Sequence, residues 1–199
     1  MPARFAGRHV VVTGASRGLG EGVARALGDA GAAVMLVARD GALSAAVARE
    51  IVAAGGRAEA TACDVSDYGA MEKLVAATKA RLGGLDILVN NAGVIEPISE
   101  IATSDPKAWA NNITIELETK GKGIRVFGFS PGTIDTDMQV KIRASGMNMI
   151  SQIPRANLSP VEHAVRGLIH LCTTASDDLI GQDASMRDDA FRSRIGLAS

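Results

Sequence analysis

The chain has 199 residues, 47% of them hydrophobic and 22% charged, which is enough to bury a sizeable core in one soluble globular domain. Its formal charge of -1 offers no basic face, so neither nucleic acid nor a membrane surface is an expected partner. No apolar run approaches the roughly 18 residues of a membrane span, and Cys63 and Cys172 lack metal-ligand spacing. We therefore expect a reduced, cytoplasmic protein without a metal site.

Short runs rich in Val, Ile and Leu alternate with longer Ala-rich segments along the chain. Buried parallel strands are predicted for HVVVTG, AAVMLVA, RAEATACDV, LDILVNNAG and GIRVFGFS. Helices are predicted for residues 17–30, 42–54 and 67–82, where apolar side chains share one helical face. Alternation at this spacing predicts an α/β fold, with a doubly wound parallel sheet in three αβα layers within a single domain of residues 1–199.

The C-terminal part of the chain contains a further helix signal. In SPVEHAVRGLIHLC, Ser159 is the predicted N-cap, Pro160 the first helical residue, and Glu162 the partner that closes a capping box. His163 and His170 lie seven apart on one face of this helix, and we interpret them as packing or surface residues. Residues 137–158, which are rich in Met and polar side chains, are expected to be irregular.

A glycine-rich loop joins the first predicted strand to the first helix. In VVVTGASRGLGEGVARAL, Gly14, Gly18 and Gly20 follow a GxxxGxG pattern. Glycine there allows a sharp turn and lets a pyrophosphate approach the helix N-terminus, where unpaired N–H groups favour an anion. A bare glycine triplet could form a plain tight turn, but the strand before it and the helix after it favour a dinucleotide-binding loop.

The same loop also satisfies a different pattern. GASRG fits the G-x-S-x-G nucleophile elbow of hydrolases, with Ser16 as nucleophile and His163 or His170 as a later histidine. The sequence contains no HGGG-like oxyanion loop, so esterase activity based on Ser16 is the weaker hypothesis.

Four motifs occur in a fixed order: TGASRGLG at 13–20, CDV at 63–65, NNAG at 90–93 and SPGTIDTDM at 130–138. With this set the chain resembles the short-chain dehydrogenase/reductase family, NAD(P)-dependent oxidoreductases with a Rossmann sheet. The resemblance covers nearly the whole chain. It implies hydride transfer between a nicotinamide cofactor and a small-molecule carbonyl or alcohol, in a homodimer or homotetramer.

The resemblance also implies roles for individual residues around the cofactor. These are Gly14, Ser16, Arg17, Gly18, Leu19 and Gly20 at the pyrophosphate and adenosine ribose, Asp64 and Val65 at the adenine, Asn91, Ala92 and Gly93 toward the nicotinamide ribose, and Pro131, Gly132, Ile134 and Thr136 at the nicotinamide. Simpler interpretations exist: Asn90 and Asn91 could only tie strand ends together, and Thr136 could be merely a helix N-cap.

The charges after the second strand bear on the choice of cofactor. Ala38 stands where NAD-preferring relatives place an acidic residue, Arg39 follows it, and Arg17 lies in the glycine loop. Two guanidinium groups can hold a 2′-phosphate that an acidic residue would repel, so we predict NADP over NAD. The alternative is that Arg39 is a solvated surface residue whose charge Asp40 partly neutralises.

The catalytic residues of the family are missing from this sequence. Relatives use a Tyr as proton donor, a Lys four residues later, a Ser on the preceding strand and a supporting Asn. Here the single tyrosine is Tyr68, Glu72 stands four residues later, and no YxxxK occurs. No catalytic residue is therefore assigned.

The join between Ile115 and Glu116 accounts for this absence. WANNITI resembles the first half of the helix after the fourth strand, and ELETKGKGIRV resembles the end of a later helix and the sixth strand. The intervening helix–strand–helix segment amounts to roughly thirty residues or more. Either the protein contains this segment and the sequence omits it, or the chain truly lacks it and is a catalytically silent dinucleotide-binding or oligomerisation module.

Overall fold

The computed structural model describes residues 4–93, 124–146 and 149–197. Residues 4–93 belong to one compact unit, called the N-terminal unit, and the described residues from 124 to 197 belong to a second, called the C-terminal unit.

The N-terminal unit is an alternation of four strands and three helices. Its elements are β1 (His9–Thr13), α1 (Gly18–Asp29), β2 (Ala33–Ala38), α2 (Gly41–Ala53), β3 (Arg57–Ala62), α3 (Tyr68–Leu82) and β4 (Ile87–Val89). Every strand and helix predicted for this stretch is present. The four strands form one parallel sheet in the order β3-β2-β1-β4, which confirms the predicted fold class.

Helices cover both faces of this sheet. Val11 and Met35 pack with Leu74 and Leu82 of α3 on one face. The alternate residues of each strand point to the opposite face, which α1 and α2 cover, and all six residues of β2 are buried. The sheet is therefore doubly wound, and α3 is held in place by side-chain packing on a central strand.

The C-terminal unit contains a second, smaller sheet. Its elements are β5 (Gly128–Ser130), α4 (Asp137–Ser145), 3-10 helices at Met149–Gln152 and Arg155–Asn157, α5 (Val161–Leu171), a 3-10 helix at Thr174–Leu179, β6 (Asp183–Ser185) and α6 (Asp189–Arg194). β5 and β6 pair in parallel. A buried apolar cluster that includes Leu171, Ala184, Met186 and Phe191 packs beneath them.

Three sequence-based expectations for this unit are corrected. The stretch expected to be irregular contains α4 and two 3-10 helices. Helix α5 begins at Val161 after Pro160 as N-cap, and no side chain caps it, so the predicted capping box is wrong. The backbone of Ser159 instead bonds that of Thr133 and Asp135, at 2.9 and 3.0 Å, which removes Ser159 from the helix start.

Two classes of feature are absent from the described part of the chain. No helix in residues 4–93, 124–146 or 149–197 combines the length and apolar character that a membrane crossing needs. Within the same ranges, no three His, Cys, Asp or Glu side chains gather in a way that could hold a metal ion.

Candidate functional site

The predicted cofactor residues of the N-terminal unit all follow the carboxyl ends of its strands. The glycine-rich loop comes after β1, Arg39 after β2, Asp64 and Val65 after β3, and residues 91–93 after β4. Because the four strands are parallel neighbours, these ends meet along one edge of the sheet. Ligands of open parallel sheets bind at that edge.

The glycine-rich loop has a backbone that other residues would strain. Gly14 and Gly18 have φ of 65° and 59°, in the left-handed region that favours glycine. A Cβ on Gly14 would lie 2.9 Å from the Ala92 Cα, and one on Gly20 would lie 2.5 Å from the Asn91 Nδ2. The loop and the end of β4 are therefore packed too closely for any side chain at these two positions.

The start of α1 is open to an anionic ligand. Arg17 is its N-cap residue, with an extended backbone and no side-chain capping bond within the described residues. The first N–H groups of this 12-residue helix thus lack a capping acceptor, and the positive end of the helix dipole lies there. Glu21 in the first turn is engaged by Arg25, whose Nε lies 2.9 Å from its carboxylate. A pyrophosphate matches the positive charge and the free N–H donors of this helix end.

Thr13 organises the junction between the loop and β4. Its side chain is buried, and its hydroxyl donates to the Val89 carbonyl at 3.3 Å and accepts from the backbone N–H of Asn91 and Ala92, both at 3.0 Å. Sequence reasoning assigned no role to Thr13. A threonine that directly follows three buried valines of β1 was the available signal.

Asn91 also ties the two strand ends together. Its side-chain amide donates to the carbonyls of Thr13 at 3.0 Å and Gly14 at 3.4 Å. This is the simple structural role considered from the sequence, and it fixes the glycine-rich loop in place. Asn91 therefore shapes the candidate site, whether or not it contacts a ligand.

The acidic residues after β2 and β3 have separate partners. Asp64 accepts from the backbone N–H and the hydroxyl of Ser66, at 3.0 and 2.8 Å, and these bonds hold the pKa of its carboxyl below the ordinary value, with a smaller contribution from Arg39. Asp40 caps α2 by accepting from the N–H of Ala42 and Leu43, both at 3.1 Å. Arg39 is exposed and forms no ion pair with any described residue.

The remaining predicted cofactor residues lie in the C-terminal unit, after β5. Gly132 has φ of 71°, and Ile134 is buried and pairs with Ser159 in an isolated parallel bridge. Thr136 occupies the N-cap position of α4, but its hydroxyl accepts no capping hydrogen bond from the described residues. The helix therefore makes no use of this hydroxyl, which leaves it available to a ligand.

The hydrolase hypothesis finds little support in these geometries. The single histidine of the N-terminal unit, His9, is bonded through Nδ1 to Asp86 at 2.8 Å at the amino end of β1, whereas Ser16 follows the carboxyl end. His170 packs edge-on against the Phe191 ring at 6.1 Å, as a packing residue would. The Nδ1 of His9 is therefore bonded to a carboxylate at the end of β1 opposite to Ser16.

Tyr68 has no feature of a proton donor. It begins α3 with 78% of its surface exposed. The bond between Ile115 and Glu116 lies outside the described residues.

Comparison with known proteins identifies the family. Residues 8–118 match the short chain dehydrogenase family. The chain belongs to that family. It is also 45% identical over 173 residues to an uncharacterized oxidoreductase of Methylorubrum extorquens, an alignment that takes 79% of this chain and 70% of that protein. This short-chain dehydrogenase resembles two further curated relatives over a shorter stretch.

One of them, a cis-4-hydroxycyclohexanecarboxylate dehydrogenase of Sinomonas cyclohexanicum, is 41% identical over 59% of this chain and 47% of its own length. The other, a fatty acyl-CoA reductase of Mycobacterium tuberculosis, is 41% identical over 50% of this chain and 34% of its own length. The chain thus spans between about a third and a half of the curated relatives first matched.

Solved structures share the fold. A short chain dehydrogenase from Burkholderia cenocepacia in complex with NADP superposes with a TM-score of 0.74 at 20% identity, over 92% of this chain and 97% of that one. A hydroxysteroid dehydrogenase from Escherichia coli gives a TM-score of 0.74 at 23% identity, over 92% and 96%.

Proposed function

We propose that this protein is an NADP-dependent oxidoreductase that transfers hydride between NADP(H) and a small-molecule carbonyl or alcohol. The observation that carries the proposal is the open N-terminus of α1, which no side chain among the described residues caps, and whose preceding loop and first turn each contain a position, Gly14 and Gly20, that admits only glycine. Family membership supplies the class of reaction. We also propose that the two units form a single domain.

The predicted cofactor residues of each unit would bind a different part of the cofactor. The first N–H groups of α1 would bind the pyrophosphate, Asp64 and Val65 the adenine, and Asn91, Ala92 and Gly93 would line the path to the nicotinamide ribose. Pro131, Gly132, Ile134 and Thr136 would hold the nicotinamide, with the free Thr136 hydroxyl as a hydrogen-bonding group. When bound, the cofactor supplies or accepts the hydride.

The preference for NADP rests on Arg39 and Arg17. Asp40, the carboxylate nearest to Arg39 in sequence, is bonded to the start of α2, and Arg39 has no ion pair among the described residues. Its guanidinium therefore remains available for the 2′-phosphate of NADP, the cofactor bound in the Burkholderia cenocepacia structure of the same fold.

The proton donor is the part that this sequence lacks, and we propose that the complete protein carries it on a helix–strand–helix segment between Ile115 and Glu116. Two observations support an omission. Among the described strands, β4 pairs only with β1 and β5 only with β6, so each has an edge where a further strand could pair. The alignment with the Methylorubrum protein counts 173 positions but occupies 79% of the 199 residues here, so it includes positions that this chain does not fill.

The experiment combines intact mass with turnover, using protein isolated from its natural source. We expect a mass above that of 199 residues by at least roughly thirty residues, and steady NADPH oxidation with members of a carbonyl panel. A mass equal to that of the given sequence, together with NADPH binding but no turnover, would refute the enzyme proposal and establish the silent module. Ester hydrolysis that is lost in Ser16→Ala would instead establish the esterase.

A further inference from the structure

The C-terminal unit contains a cavity of about 340 Å³ beside the ends of β5 and β6. Pro131 and Gly132 from the segment after β5 line one side, and Arg187 and Arg192 from the segment after β6 line the other. Its size falls at the small end of the usual range for ligand pockets, roughly 300–1,000 Å³. The cavity can therefore hold a small molecule or one end of a larger one.

Backbone polar groups of the residues that line the cavity are bonded to neighbouring backbone. The Met186 N–H donates to the Ser130 carbonyl, and the Ser159 N–H donates to the Thr133 carbonyl, both at 2.9 Å. Met186 is itself buried, and α5 packs so closely behind it that a Cβ on Gly167 would lie 3.1 Å from its sulfur. Because these backbone groups are already bonded, recognition of a ligand falls to the side chains at the rim.

The rim carries more positive than negative charge. Two arginines, Arg187 and Arg192, line the cavity with a single carboxylate, Asp189. The neighbouring carboxylate of Asp188 is engaged as the cap of α6, accepting from the Ala190 N–H at 2.9 Å. The lining residues therefore leave a formal excess of one positive charge.

Arg187 differs from other arginines of this unit in having no carboxylate partner among the described residues. Three other arginines of this unit have carboxylate partners: Arg125 pairs with Asp177 at 2.6 Å, Arg155 with Asp135 at 2.9 Å and Arg194 with Asp178 at 2.7 Å. Arg187 forms no ion pair with any residue that the structure describes. A planar guanidinium with open donors fits the paired oxygens of a carboxylate or phosphate.

We propose that this cavity binds an anionic oxygen group of the substrate, a carboxylate or a phosphate, with Arg187 as its main partner. The assignment to the substrate rests on the proposed function, because Pro131 and Gly132 line the cavity and are also the residues assigned to the nicotinamide. An anion held here would place the rest of the molecule beside the reacting ring. The predicted substrate class is thus hydroxy or oxo compounds that carry an acidic group.

The first experiment measures anion binding without any turnover. Sodium acetate and inorganic phosphate are titrated separately into the full-length protein by calorimetry at constant ionic strength. One charge-assisted hydrogen bond contributes about 1.5–3 kcal/mol, so Arg187→Gln should weaken binding at least about tenfold. Asp189→Asn should strengthen it, because it removes the opposing charge. Arg155→Gln, which makes the same change in net charge away from the cavity, should leave it unchanged.

Unaltered binding in Arg187→Gln, equal losses in Arg187→Gln and Arg155→Gln, or weaker binding in Asp189→Asn would each overturn the proposal. If acetate binds more tightly than phosphate, the anionic group of the substrate is a carboxylate, and if phosphate binds more tightly, it is a phosphate. Thermal unfolding of each variant checks that the fold persists.

The second experiment links the cavity to the substrate. The titration is repeated with saturating NADPH, and kcat/KM is compared for an oxo acid and its methyl ester. We expect anion binding to survive NADPH, and the preference for the acid to fall at least about tenfold in Arg187→Gln. Loss of binding in the presence of NADPH would show that the cofactor itself occupies the cavity and would overturn the substrate assignment. Anion binding without turnover of any substrate would refute the proposed function and leave the anion site standing.

Discussion

Alanine at Gly14 should disturb both the fold and the candidate cofactor site, and Gly7 offers a matched control. Both glycines have positive φ, 65° at Gly14 and 73° at Gly7, but a Cβ on Gly7 would meet nothing within 4 Å, whereas one on Gly14 would lie 2.9 Å from the Ala92 Cα. Alanine in the left-handed region costs about 1–2 kcal/mol. Overpacking against a backbone atom adds about 1–3 kcal/mol.

We therefore expect Gly7→Ala to lower the free energy of unfolding by about 1–2 kcal/mol and Gly14→Ala by about 2–5 kcal/mol. Urea unfolding at a fixed temperature measures both values. Fluorescence titration should show that Gly14→Ala weakens NADPH binding at least about tenfold, since the displaced residues form the loop, and that Gly7→Ala does not. Equal destabilisation by the two substitutions would refute the claim that close packing requires glycine at position 14.

Three further predictions concern single side chains. Arg39→Ala should raise the Kd for NADPH at least about tenfold while leaving the Kd for NADH unchanged. Fluorescence titration measures both constants. Equal affinities of the parent protein for NADPH and NADH would contradict the choice of NADP. Thr13→Val should destabilise the fold by about 1–3 kcal/mol, because two part-buried N–H groups each lose a hydrogen bond that contributes about 0.5–1.5 kcal/mol. The buried hydroxyl of Thr78 donates only to a carbonyl of its own helix, at 2.8 Å. Thr78→Val should therefore lower the free energy of unfolding by less than Thr13→Val does. A larger loss in Thr78→Val than in Thr13→Val, measured by urea unfolding, would refute this reasoning. Asp86 accepts from the His9 N–H at 2.7 Å, and this bond, with the His9 side chain, holds the pKa of its carboxyl below the ordinary 3.8. A lowered folded pKa stabilises the fold above pH 3.8, and this stability is lost as the pH falls through the folded pKa. Asp86→Asn should therefore reduce the loss of unfolding free energy at low pH, measured by urea unfolding at a series of pH values. The same loss in Asp86→Asn and in the parent protein would contradict the assignment.

The N-terminal unit was predictable from sequence because its strands are buried on both faces. Strand β2, AVMLVA, in which every residue is buried, is a continuous apolar run. The starts of α2 and α3 carry a local signal as well, since the side chains of Asp40 and Asp67 accept hydrogen bonds from the first turns of these helices. Local sequence and tertiary packing agree throughout this stretch.

The C-terminal unit departs from prediction where tertiary pairing overrides local signals. β6 consists of Asp183–Ser185, with a single buried apolar residue, so no hydrophobic pattern announces it. Ser159 has the sequence of an N-cap, but pairing of its backbone with Thr133 and Asp135 draws it out of the helix. Strand pairing between distant residues leaves no periodic trace in either segment.

The candidate site shows a similar division. Motif order placed the cofactor residues at the strand ends, and the structure puts those of the N-terminal unit along one sheet edge. The buried hydroxyl of Thr13 was missed, because its value depends on two N–H groups more than seventy positions away. The cavity beside Arg187 was also missed, since its walls come from segments that only the β5–β6 pairing brings together.

The open edge of β4 has a consequence for handling the protein. β4 has β1 as its only partner among the described strands, and its central residue, Leu88, is 48% exposed. An unpaired strand edge beside an apolar side chain is a template for strands of other molecules. The 199-residue chain should therefore aggregate as its concentration rises. A chain that carries a further strand at this edge should stay monodisperse under the same conditions. Solubility would then report on the completeness of the sheet before any catalytic assay is run.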